Sequence, residues 1–90
     1  MKITDVYSLK SAHTAKHPDS HFFDPDTLKF FGERLSAMRL LKSTTTIKDI
    51  FENEHECYCL SSTQKNAPFG IRRVHYFYFD VETLDEIIPV

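Results

Sequence analysis

The segment Ile71–Phe79 reads Ile-Arg-Arg-Val-His-Tyr-Phe-Tyr-Phe, nine residues without Gly or Pro that end in five consecutive rings. β-Branched and aromatic side chains lose freedom in a helix and pack well on a pleated surface, so this run predicts a strand. Successive side chains of a strand point to opposite faces, which puts rings on both sides of it. One of those sides must be core.

The remaining elements are punctuated by turn residues. Asp24 suits a helix N-cap, Pro25 the first helical position, and Asp26 the positive end of the helix dipole. Phe23 and Leu28 occupy the two positions of a hydrophobic staple, and Leu28, Phe31 and Leu35 continue as one apolar stripe. These signals predict a helix over residues 24–36, with Gly32 in its interior at a cost of roughly 1 kcal/mol. Residues 38–42 and 44–51 then read as extended, Glu52-Asn-Glu54 as a turn, and residues 56–63 as the returning strand of a hairpin. Residues 64–70 hold Asn66, Pro68 and Gly70 and read as a loop, and residues 84–88 as a short helix or edge strand. Residues 1–20 form an N-terminal arm or short helix: Ile3, Val6 and Leu9 are spaced for a turn or two, and Pro18 stops any helix before it. The expectation is one α+β domain spanning residues 1–90, one principal helix packed on a three- to four-stranded antiparallel meander sheet within residues 21–88.

Charge and cysteine usage narrow the function classes. A formal charge of −2 lacks the basic excess through which proteins that bind duplex nucleic acid gain most of their affinity. The N-terminus has no apolar run of signal-peptide length and no later segment approaches a membrane span. Cys57 and Cys59, the two cysteines, are too close along a strand to bridge each other. The chain therefore reads as cytoplasmic, with no membrane association.

No catalytic constellation emerges. His55-x-Cys57-x-Cys59 shares one strand face and offers zinc-compatible donors. Same-face positions on a strand lie roughly 6–7 Å apart, however, which suits a tetrahedral ion poorly. Two small buried thiols are the preferred reading. His13 and His17 stand four apart with His21 beyond, but the glutamate of H-E-x-x-H is missing, and a polar arm is preferred. With only Gly32 and Gly70 there is no phosphate-cradling loop. Neither an enzyme, a cofactor nor a metal is expected.

The strands carry apolar or aromatic residues on both faces, with Cys57, Cys59, Phe77 and Phe79 expected on one and Tyr58, Leu60, Tyr76 and Tyr78 on the other. A solvated sheet face should read polar, and tyrosine suits interfaces. One helix covers one face, so the other is expected to bind a partner through Tyr58, Tyr76 and Tyr78. Lys65, Phe69, Arg72 and Arg73 flank it. The partner expected is a protein, either a host protein or a second copy in a homodimer. The alternative is a small single-stranded nucleic-acid-binding module that uses strand 71–79, where exposed rings stack on bases.

The run His21-Phe-Phe-Asp-Pro-Asp-Thr-Leu-Lys-Phe-Phe31 resembles a helix motif, HFFD-x-DT-x-x-FF, of small phage and mobile-element proteins. The stretches Cys59–Arg73 and Phe79-Asp-Val-Glu-Thr83 resemble the same group, so the likeness spans residues 21–88. It implies an α+β accessory protein that binds a partner, such as a modulator or inhibitor of a host complex, and it supplies no catalytic residues.

Overall fold

Eleven residues, Val6–Lys16, form the main helix, α1. Its start is a capping box: the Asp5 carboxylate accepts from the Ser8 backbone N–H at 2.8 Å, and the Asp5 N–H donates to the Ser8 hydroxyl at 3.0 Å. Its end falls where Pro18 restricts the preceding residue, with His17 leaving helical angles at φ −128°, ψ 72°. Of the arm or short helix expected over residues 1–20, the structure takes the helix and extends it to Lys16. The computed structural model describes residues 2–64 and 73–90.

Asp24 stands at the expected N-cap position but makes no side-chain capping bond, and it opens only a short helix, α2, Pro25–Phe30. Gly32 is the reason. Its φ is 74°, in the left-handed region that costs a residue bearing a Cβ about 1–2 kcal/mol. The Gly32 N–H donates to the Lys29 carbonyl at 3.0 Å and the Glu33 N–H to the Leu28 carbonyl at 2.7 Å. This Schellman pair terminates a helix. Gly32 therefore ends the helix instead of interrupting it, and the expected helix over 24–36 is cut to six residues followed by a 3₁₀ turn, Leu35–Ala37. Phe23 and Leu28 are buried as the staple predicts, but Phe31 lies beyond the last turn and is 65% exposed, so it is not part of the core stripe.

The strands are β1 (Met38–Leu40), β2 (Thr45–Lys48), β3 (Glu54–Gln64), β4 (Arg73–Asp80) and β5 (Glu86–Ile87). All pairings are antiparallel. β1 and β2 pair with the same stretch of chain, β3, and are two pieces of one edge. Met38↔Ser62 and Leu40↔Leu60 lie in one register, Thr45↔Cys57 and Lys48↔Glu54 in another, offset by a bulge at residues 41–44. β4 pairs with the other side of β3, and β5 with β4, completing the meander. The chain is thus an α+β fold, one main helix and a five-stranded antiparallel sheet, with β5 settling residues 84–88 as an edge strand.

Directly opposed residues share a face, so the β3–β4 register decides which side chains lie together. Tyr58↔Phe79, Leu60↔Phe77 and Ser62↔His75 make one face, and Cys57↔Asp80, Cys59↔Tyr78 and Ser61↔Tyr76 the other. Val6 and Leu9 of α1, Phe23, and Leu28 of α2 pack with Leu60, Phe79, Met38 and Leu84 in a single core on the first face. Phe23 stacks on Phe79 at 5.6 Å between ring centroids, and Phe22 meets Phe77 and Phe79 edge-on at 5.2 Å each. The expected grouping of the cysteines with Phe77 and Phe79 is therefore corrected. The β3–β4 register places Cys57 and Cys59 on the side of Tyr76 and Tyr78.

Candidate functional site

On the face away from the helices, β3 presents Cys57, Cys59 and Ser61, and β4 presents Val74, Tyr76 and Tyr78. None of these belongs to the core cluster. Val74 and Tyr76 are 48% and 53% exposed, while Tyr78 is half-buried between Cys59 on one strand and Ile87 on the other. The thiols are buried on the central strand, where Cys59 lies opposite Tyr78 and Cys57 opposite Thr45 and Asp80. Loss of solvent raises the Tyr78 phenol and the Cys59 thiol above their ordinary values. Cys57 is pushed up to about 11 by burial, with the Asp80 carboxylate and Cys59 adding to the effect.

At one end of this face His55 bridges the β2–β3 turn and the end of β4. Its Nδ1 donates to Asp80 Oδ2 and its Nε2 to Asp49 Oδ2, both at 2.8 Å. Only the imidazolium has two N–H donors, so this geometry requires the charged form. Accordingly, the hydrogen bonds from Asp49 and Asp80 raise His55 above the ordinary imidazole value. Asp49 is lowered, chiefly by His55 and by the backbone N–H groups of Asn53 and Phe51. Burial pushes Asp80 up, but N–H groups from Thr83 and Glu82 and the His55 bond outweigh it and leave it lowered.

A second polar group sits on the helix side. The Schellman turn swings Glu33 under α2, where it is buried. Ser62 Oγ donates to its Oε2, and His75 Nδ1 stands 3.0 Å from its Oε1. Phe22, Phe31 and Phe77 flank it in a cleft of about 320 Å³. The sequence reading missed Glu33, Ser62 and His75. The available signal was Gly32, since a glycine inside an apolar stripe also marks a helix stop that turns the next residue inward.

Of the residues expected to bind a partner, Tyr76 and Tyr78 share the open face. Tyr58 does not: it lies opposite Phe79 and packs against the core. Arg73 is exposed at the start of β4, in register with Gln64 on the helix side. Lys65, Phe69 and Arg72 lie outside the described residues. The polar arm is also corrected. His13 is helical and buried, its Nδ1 donating to the Leu84 carbonyl at 2.6 Å and its Nε2 2.7 Å from Ser20 Oγ. His17 reaches the Thr83 carbonyl and Asp85 at 2.8 and 3.0 Å, whereas His21 is exposed and pairs with Asp24. α1 is therefore docked onto the turn before β5. That turn places Leu84 at φ 60°, a left-handed angle held by burial and by the Leu84 N–H to Asp80 carbonyl bond of 2.9 Å. Cys57, Cys59 and His55 do share a face, but both ring nitrogens of His55 are taken. Among the described residues no group of three or more His, Cys, Asp and Glu side chains is arranged to hold a metal ion. No helix among them is long and apolar enough to cross a membrane.

Fold and faces define a class: a small α+β domain whose meander sheet is covered by helices on one face and, among the described residues, by none on the other. Compared with protein-family models, curated proteins and solved structures, the chain matches none, so the likeness of residues 21–88 to phage and mobile-element proteins stays an expectation.

Proposed function

We propose that this protein is a non-enzymatic binding factor that docks a partner protein on its open sheet face, around Val74, Tyr76 and Tyr78. The observation that carries this reading is the exposure of Val74 and Tyr76 on a face that α1 does not cover. α1 packs through Val6 and Leu9 on the opposite face, against Leu60 and Phe79. Among the described residues, Arg39, opposite Ser61, brings a charge to its middle, which otherwise carries thiol, hydroxyl, aliphatic and aromatic groups. Such a surface suits a largely uncharged, apolar patch on the partner. The non-enzymatic part is supported by how the reactive groups are engaged. The thiols are protonated at neutral pH, His55 is locked between two carboxylates, and Ser62 is wholly buried and donates to Glu33. The likeness to phage accessory proteins points the same way.

The test pairs light scattering with capture from host lysate, with and without nuclease, for wild type and for Val74→Ser/Tyr76→Ser. The expected result is a monomer in both cases, an unchanged melting curve, and a nuclease-resistant partner that the double variant fails to retain. Equal capture by both proteins would remove the face from function. A wild-type dimer broken by the substitutions would make the occupant a second copy, and nuclease-sensitive binding would make it a nucleic acid; either result overturns the proposal.

A further inference from the structure

We propose that the cleft between α2 and β4 is a binding site for a small molecule with an apolar, ring-sized body and one ammonium group. It lies on the helix side, so it stands or falls independently of the open face. At about 320 Å³ it is at the lower end of the range for small-molecule pockets. Its walls include the rings of Phe22, Phe31 and Phe77, and its polar lining includes Glu33, His75 and Glu86, with no lysine or arginine among the described residues.

Three observations select the ligand. Glu33 is buried at the cleft, and burying a carboxyl group is costly unless it is well satisfied. Ser62 and His75 supply one donor to each of its oxygens, and a carboxylate oxygen accepts two, so there is room for a donor from the ligand. His75 turns its Nδ1 to Glu33 and lines the cleft beside it. Finally, Phe31 is 65% exposed at the cleft although it is a large apolar ring. An aromatic face beside a carboxylate attracts a cation through its quadrupole and repels an anion. Arg73, two residues before His75 on β4, is exposed and is not among the lining residues.

The test titrates phenethylamine, phenylacetate and phenylethanol into ¹⁵N-labelled protein and follows amide shifts. Phenethylamine is expected to move resonances of residues 27–33 and 75–77 with a dissociation constant of about 1 mM or tighter. Phenylacetate is expected to move none of them, and phenylethanol to bind at least several-fold more weakly. Glu33→Gln is expected to weaken the amine about tenfold or more. Because Glu33 is buried, that variant risks misfolding, so Phe31→Ser serves as a second probe at an exposed position. It should keep the wild-type melting curve and still weaken the amine several-fold. Equal binding of amine and acid, no shifts at saturating amine, or a Phe31→Ser protein that binds as wild type would each overturn the site.

Discussion

His55 joins the β2–β3 turn to the end of β4 through one ring, and its protonation controls both bonds. Because its folded value is raised, its contribution to stability is complete below about pH 6.5, where the unfolded chain's histidine is also charged. That contribution is lost as pH rises through the higher folded value. Asp49 and Asp80 run the other way: their share is present above about pH 3.9 and is lost as pH falls through their lowered folded values. The stability difference between wild type and His55→Asn should therefore be largest between those limits and shrink on the alkaline side. Urea midpoints across a pH series measure it, and a difference that grows with alkalinity would contradict the bridge. The same residue scale separates the phenylalanines. Phe79 is fully buried among Phe22, Phe23 and His13, so Phe79→Ala should cost about 3–5 kcal/mol. Phe31→Ala should cost well under about 1 kcal/mol, since the ring is already mostly in water. Denaturant unfolding of the two variants checks the order.

The two helices differ in how their first turns are satisfied. Asp5 caps α1 with its own side chain, whereas the Asp24 side chain makes no capping bond to α2 and instead pairs with His21 at the surface. An exposed ion pair contributes little, while loss of a bonded cap is felt by the whole domain. Asp5→Ala is thus expected to lower the melting temperature by a few degrees and Asp24→Ala to leave it nearly unchanged. Calorimetry giving the reverse order would mean that α2, not α1, is the helix that stabilises the fold. Legibility followed the same contrast. The cap, proline and staple around Asp24 were plain in sequence and located the start of α2 correctly. They carry no information about length, which Gly32 set. α1 was harder to read because its polar residues, His13 above all, are satisfied by groups distant in sequence: the Leu84 carbonyl lies 71 residues away.

For the molecule as a whole, the open face fixes what its thiols can do. Cys57, pushed up to about 11, should react with iodoacetamide at mildly alkaline pH about a hundredfold more slowly in the native state than in urea. Mass spectrometry over time measures both rates, and equal rates would show the thiols to be freely accessible.

The strand run 71–79, the turn residues around it and the aromatic composition were enough to determine an α+β domain with a meander sheet, because alternation and turn chemistry are local properties of the chain. They also showed that the sheet would be apolar on both sides. Which residues share a side was decided by tertiary structure alone. Pairing β3 with β4 so that Tyr58 faces Phe79 packs Tyr58 against the core and puts the cysteines on the side of Tyr78. A slip of one residue would reverse every assignment, and no local propensity distinguishes the two registers. The polar groups were decided in the same way. Glu33, Ser62 and His75 come from three segments, and His55, Asp49 and Asp80 from two strands and a turn, so each cluster exists only once the chain has closed on itself.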